Sequence, residues 1–342
     1  MKRPLIGCIL AAALLLSGCG ANGTPSASAE AESQSRELYA MDTVMTLTAY
    51  GPQADTALNA AEAEIEHLNT LWSISNDDGE IAQLNADKQA TLSDDTITLL
   101  QRAKDISAAT DGLFACTIEP IMEAWGFTSG SYTVPDNATL QTLLTHVDDT
   151  QIRITGNTAT IPADVKVDLG GIAKGFTSDR VMTLFAENGV ESGIISLGGN
   201  VQALGTKPDG SLWRVGIQDP ADKNNIIATL EIADKAVITS GGYQRYFEQD
   251  GITYHHIIDP RTGQPADSGL SSVTIVSDDG TLADGLSTAL FIMGKDAALE
   301  FWRNHRDEFD AVLVDDAGCV TITAGLADCC TLDDGQKPEV AQ

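Results

Sequence analysis

Val167-Asp168-Leu169-Gly170-Gly171-Ile172-Ala173-Lys174-Gly175-Phe176 is the stretch from which the rest is read, because an apolar run stops there at an acid and a Gly pair and becomes a helix. Lys166 and Val167 read as the end of a strand. Gly170 and Gly171 let the backbone turn and come close to a ligand, and Ile172, Phe176, Val181 and Leu184 keep helical spacing up to Gly189. The first N–H groups of a helix have no partner inside it, so a phosphate or carboxylate fits beside Gly171, with Lys174 as a nearby positive charge. An ordinary strand-to-helix turn has the same spelling, so the reading needs company.

Company comes from further stretches downstream. Ile195-Ser196-Leu197-Gly198-Gly199-Asn200 is a strand running into a second Gly pair, and Thr239-Ser240-Gly241-Gly242, followed by Tyr243, Arg245 and Tyr246, is a third. His255-His256-Ile257-Ile258-Asp259-Pro260-Arg261-Thr262-Gly263 is a strand end followed by a Pro/Gly turn. In Ala283-Asp284-Gly285-Leu286-Ser287-Thr288, Asp284 and Thr288 lie one helical turn apart and share a face that suits a hard cation.

These residues resemble the ApbE-type FAD:protein FMN transferases, lipoproteins outside the cytoplasm that attach FMN to a threonine of a target protein. The resemblance is carried by Met41-Asp42-Thr43, Asp111-Gly112-Leu113-Phe114 with Pro120 and Trp125-Gly126-Phe127, Asp168 through Gly175, Ser196 through Asn200, His256 through Gly263, and Ala283 through Phe291, in that order. It implies FAD contacts at Met41, Leu113, Phe114, Ala115, Asp168, Lys174 and Ile258. It also implies Mg²⁺ held by Asp284, Thr288 and the carbonyls of Gly171 and Ser287. Many members place an aromatic about where Ser75 stands and an acid at the position of Ala115; Trp72 stands near the first of these, as flavin contact or as core.

Splitting FAD at its pyrophosphate is phosphoryl transfer, which depends on positioning and on neutralising charge on the phosphate oxygens. A divalent ion on Asp284 serves that end. His256 is the candidate base for the target threonine, since an unperturbed imidazole titrates near neutrality; a histidine bonded within the sheet is the competing reading. Three functions follow: FMN transfer to protein, hydrolysis of FAD to FMN and AMP, or flavin binding without chemistry. A mere binder would not need Asp284 and Thr288.

The 342 residues, 43% hydrophobic, support a substantial core, and a formal charge of −29 argues against nucleic acid or anionic lipid as a partner. Lys2 and Arg3 precede an apolar run, Leu5 to Leu16, too short to span a bilayer and ending in Leu16-Ser17-Gly18-Cys19. This is the spelling of a lipoprotein signal: residues 1–18 leave, and Cys19 takes the lipid that anchors the protein to the outer face of a membrane. Residues 19–36 read as a flexible tether, 37–324 as the catalytic domain and 325–342 as a polar tail. Cys116, Cys319, Cys329 and Cys330 fit no zinc spacing, and a disulfide from Cys319 to Cys329 or Cys330 is open.

Strand runs joined by hairpins, with helices in groups, predict an α+β fold with mixed or antiparallel sheets; the resemblance implies the T-fold-like flavin transferase domain. Strands are expected at Leu38–Tyr50, Leu212–Ile217, Ile226–Ile232, Ala236–Thr239, Thr253–Ile258 and Ser271–Val276, and Ile152 to Ile161 is a hairpin on Gly156-Asn157. Ser73 to Asn85 reads as a loop. Ser93 caps a helix with Asp94 and Asp95 in its first turn. Helices are also expected at Ala283–Met293 and Asp296–Asn304. There is neither a GxGxxG with a downstream acid nor a P-loop.

Overall fold

The alternation that ends at Tyr50 builds a hairpin rather than one strand. β1 (Ser33–Ala40) and β2 (Thr43–Tyr50) pair antiparallel around Met41-Asp42, whose φ angles of 49° and 58° suit the twist of a two-residue hairpin. The computed structural model describes residues 32–333 and 335–342, so the signal segment, Cys19 and the tether up to residue 31 lie outside the described residues. Residues 33–36, read as tether, are instead laddered to residues 47–50. Their polar, half-exposed side chains hide a strand whose order comes from its neighbour.

α1 (Ala54–Trp72) buries Ala57, Leu58, Ala61, Ile65 and Leu68 along one face. The expected loop after it contains α2 (Glu80–Asp87), which buries Ile81 and Leu84, too few apolar side chains to show a period. β3 (Gln89–Thr91) precedes α3 (Asp94–Ala109), where the Ser93 hydroxyl accepts the Thr96 N–H as a helix cap. α4 (Glu119–Trp125) and α5 (Asn137–Leu144) follow, then β4 (Arg153–Thr155) and β5 (Thr158–Thr160), which form the predicted hairpin and join β3.

After the opening stretch come α6 (Ala173–Glu187), β6 (Gly193–Leu197) and β7 (Asn200–Leu204), the two strands joined by Gly198-Gly199. β8 (Trp213–Gln218), β9 (Ile226–Ile232), β10 (Ala236–Gly241), β11 (Tyr246–Gln249), β12 (Ile252–His255) and β13 (Leu270–Ser277) lead to α7 (Gly280–Met293) and α8 (Lys295–Asn304). β14 (Asp310–Asp315), β15 (Val320–Thr323), β16 (Cys330–Leu332) and β17 (Glu339–Ala341) end the chain. The segment read as a polar tail thus contributes two strands: β16 pairs with β9 and β17 runs parallel to β15.

One nine-stranded sheet, ordered β1-β2-β6-β7-β10-β13-β14-β15-β17, is antiparallel except at its last pair. Successive residues of its central strands point to opposite cores. In β14, Ala311 and Leu313 face the helical side with Ile238, Ile275 and Leu290, while Val312 and Val314 face Trp213, Val215 and Leu230 of the small sheet β8-β9-β16. The fold is α+β, as the sequence predicts. Cys116, Cys319, Cys329 and Cys330 are free thiols.

Candidate active site

Lys166 and Val167, at the head of the opening stretch, do not belong to a strand. The Asn85 side chain takes both backbone groups of Val167, accepting its N–H at 2.7 Å and donating to its carbonyl at 2.7 Å. An amide therefore supplies what a neighbouring strand would, and the apolar character of the run comes without a ladder. Asp168 follows, its carboxylate accepting the Gly170 N–H at 2.8 Å. The helix start is less open to an anion than expected. Ala173 N–H goes to the Leu169 carbonyl at 2.8 Å, and Gly175 N–H goes to Asp284 Oδ2 at 2.8 Å.

That second bond joins the first turn of α6 to the second turn of α7. A Cβ on Gly175 would lie 2.2 Å from the Gly280 carbonyl oxygen and 2.7 Å from Asp284 Cβ, so the glycine is required by close approach. Asp179 completes the junction by accepting N–H groups of Gly280 and Thr281, each at 2.8 Å, and the Thr281 hydroxyl at 2.7 Å. Asp284 itself is 5% exposed. Its other oxygen accepts the Asn200 amide at 2.9 Å, from the end of the second Gly-pair hairpin. Both partners are neutral, and a buried carboxylate without a compensating cation is costly unless one binds there. Thr288 lies on the same cleft wall, its hydroxyl 3.2 Å from that of Ser240. These hard oxygen donors fit Mg²⁺ in type. Ser287 does not line the cleft; its hydroxyl donates to the Asp284 carbonyl at 2.8 Å and meets Ser240 at 2.8 Å. Among the described residues no group of three or more His, Cys, Asp and Glu forms a metal cluster.

The facing wall is made by the residues that flank β11 and β12. His256 Nδ1 sits 3.1 Å from the Arg245 carbonyl. Burial, aided by the nearby charges of Arg245, His255 and Lys174, pushes its imidazole down to about 4, so the ring is neutral at pH 7 and has a free lone pair. Arg245 donates to the Phe127 carbonyl and lies over the Phe127 ring at 5.8 Å. The Pro/Gly turn after His256 is a corner: Asp259 accepts from the Arg261 backbone and guanidinium, and the Trp125 indole donates to the Gly263 carbonyl at 2.7 Å. That corner fixes Ile258 and Pro260 at the cleft edge.

Between the walls is a cleft of about 440 Å³. Met41, Leu113, Phe114, Ala115, Asp168, Gly171, Lys174, His256, Ile258, Asp284 and Thr288 all line it; of the candidates only Ser287 and Cys19 do not, the latter lying outside the described residues. The β1–β2 turn brings Met41 in, its N–H held by Asn69 Oδ1 at 2.8 Å. Trp72 is core and lining at once: its indole N–H reaches the Thr96 hydroxyl at 2.9 Å, and its ring meets Phe176 edge-on at 5.4 Å. Burial pushes the Asp168 carboxyl up, partly offset by the Gly170 N–H and by Lys174 and Arg245.

Sequence reasoning missed several contributors. Asn200 and Arg245 stand within quoted stretches but had no role, and Asp179 carries no local mark at all. Glu119 is 1% exposed and accepts from the Thr128 hydroxyl at 3.1 Å. Burial, then the charge of Asp168, pushes its carboxyl up to about 8.

Comparison with known proteins follows the same residues. The ApbE family profile matches residues 41–313. An FAD:protein FMN transferase of Klebsiella pneumoniae is 34% identical over 257 residues, 73% of this chain and 79% of that protein. One of Treponema pallidum is 30% identical over 334 residues, 91% of this chain and 92% of its own. The crystal structure of the ApbE protein of Thermotoga maritima superposes with a TM-score of 0.80 at 29% identity, covering 84% of this chain and 96% of that one. With its motif residues gathered in one cleft and the match running through sequence and backbone alike, this chain belongs to the ApbE family.

Proposed function

We propose that this protein is an FAD:protein FMN transferase that passes the FMN part of FAD to a threonine hydroxyl of an acceptor protein and releases AMP. The observation that carries this is the meeting of Asp284, Lys174 and His256 in one cleft of a chain whose relatives bear that name. A bond forms between the threonine oxygen and the FMN phosphorus, the pyrophosphate P–O bond breaks, and the electron pair leaves with AMP. Neutral His256 takes the threonine proton. Lys174 and Arg245 face the phosphate charge, and Met41, Leu113, Phe114, Ala115, Asp168 and Ile258 hold the flavin and ribose. Asp284 and Thr288 would hold Mg²⁺, with the Gly171 carbonyl as a further donor. When bound, that ion neutralises charge on the departing phosphate oxygens.

The acceptor is a membrane-associated electron-transfer protein in this reading, and the enzyme is tethered beside it through lipid on Cys19, on the outer side of the cell membrane. Incubation with FAD, Mg²⁺ and a threonine-bearing acceptor should add one FMN by intact mass and release AMP. Release of FMN and AMP with no labelled protein would instead make the chain a hydrolase. Cys19→Ala should move the protein from the membrane to the soluble fraction.

A further inference from the structure

The third Gly pair, Gly241-Gly242, does not line the flavin cleft; Gly242 lines a different cavity. A Cβ on Gly241 would lie 2.4 Å from the Tyr243 ring, and one on Gly242 would lie 2.9 Å from the His255 ring. The missing side chains let both rings fold back against the backbone and open a second cavity, of about 320 Å³. It shares a wall with the first: Gln244, Arg245 and His256 face the flavin cleft, while Gly242, Tyr243 and His255 face the second cavity.

Its chemistry is divided. The floor is apolar, with Leu270 and Phe291 buried and the His255 ring edge-on to Phe291 at 5.6 Å. The lining also carries Asp219, Asp267, Asp315 and Asp316. The hydrogen bonds received by three of them come from neutral donors: Ala221 N–H at Asp219, Ala317 and Cys319 N–H at Asp315, and the Ser271 hydroxyl at Asp316. Among the described residues none of the four forms an ion pair with Lys or Arg. Ser268, also in the lining, has a buried hydroxyl with no hydrogen-bond partner among the described residues. The acids are too dispersed to form a metal cluster among the described residues. An apolar floor under spread carboxylates matches a long side chain with an alkyl stem and a cationic head.

We propose that this cavity is a subsite for a lysine or arginine side chain of the acceptor protein, close in sequence to the threonine that enters the flavin cleft. The inference rests on the transfer reading for the identity of its occupant. The stem lies against Phe291 and Leu270, and the head replaces solvent among Asp267, Asp316 and Asp219. An extended chain advances about 3.3 Å per residue, so a few residues suffice to reach from one cavity to its neighbour. Selection of acceptors then depends on a charged neighbour of the threonine as well as on the threonine.

The test uses the full chain with FAD and Mg²⁺ and synthetic Ala/Gly/Ser peptides bearing one threonine and one lysine, the lysine walked along the peptide, with glutamate counterparts. At the best position the lysine peptide should show a KM about tenfold lower than its glutamate twin, as one well-placed charge contact provides. The Asp267→Asn/Asp316→Asn variant should erase that difference while leaving the KM for FAD and the rate at saturating peptide unchanged. A difference below about twofold at every position, or one that survives in the variant, overturns the subsite. Release of FMN and AMP with no peptide labelled overturns the transfer reading instead. The cavity is then judged by titrating N-acetyl-lysine methylamide and following the His255 ring resonances. Shifts lost in the double variant and absent with the glutamate analogue uphold a cation subsite; no shift removes it.

Discussion

The two walls of the flavin cleft owe their order to different things. On the Asp284 side, residues far apart in sequence are tied by buried hydrogen bonds: Gly175 to Asp284, Asn200 to Asp284, and Asp179 to the start of α7. On the His256 side, the cleft residues flank a two-stranded hairpin, β11–β12, that among the described residues pairs only with itself. Ring stacking holds that hairpin, with Phe247 against Tyr132 at 4.9 Å and against Tyr254 at 5.3 Å. Directional bonds fix atoms to tenths of an ångström, whereas stacked rings slide at small cost. In the proposed reaction the Mg²⁺ ligand Asp284 would then sit on the wall tied by buried bonds, and the base His256 on the wall packed by rings.

The sharpest break of this contrast is Asp284→Ala. It should suppress both FMN transfer and AMP release by about 10³-fold or more, since charge on the pyrophosphate is worth several kcal/mol to neutralise. Melting by circular dichroism should show the fold retained, and activity within twofold of wild type would refute the role. His256→Asn should cut labelling of the acceptor by about 10²-fold while flavin fluorescence titration finds FAD affinity unchanged. Equal loss of FAD binding would make His256 a structural member of its wall.

Asp179→Asn sharpens the comparison from a distance. It turns an amide donor toward N–H groups that now meet a carboxylate oxygen, so unfolding should cost about 1–3 kcal/mol less and turnover should drop about tenfold. The same change on a wall held by stacking would leave the rate alone. The smallest effect is expected at Glu119, beneath the Thr128 segment of the hairpin side. Its carboxyl is raised from 4.5 to about 8 in the folded protein, so across that window the folded state holds a proton that the unfolded chain has lost. Stability must fall as pH rises through it. Glu119→Gln should flatten urea-unfolding stability over the window by about 1 kcal/mol or more; an unchanged slope would place the proton elsewhere.

Most of the cleft was legible because its residues sit at Gly and Asp turns, where backbone geometry leaves a local spelling. Gly198-Gly199 announces a backbone turn and is found in the left-handed region, whereas the tight backbone approach in the opening stretch falls on Gly175 rather than on Gly170-Gly171. Asp179 was invisible: a polar residue inside an amphipathic helix looks like a solvated face until the partner helix is placed. The same holds for Asn85, whose amide replaces a strand, and for Glu119, whose burial depends on segments far away in sequence. The short strands β16 and β17 escaped because only three residues each pair, with partners about a hundred residues away in one case.

Those last strands also bear on how the molecule keeps to itself. β17 covers the free edge of β15, held by Glu339, which accepts the Thr321 hydroxyl at 2.9 Å and pairs with Lys295 at 2.6 Å. β16 likewise covers β9. A chain cut after Ala324 would keep every cleft residue yet bare two hydrogen-bonding edges, each a template for another copy. Its failure would be self-association and precipitation of a catalytically complete enzyme.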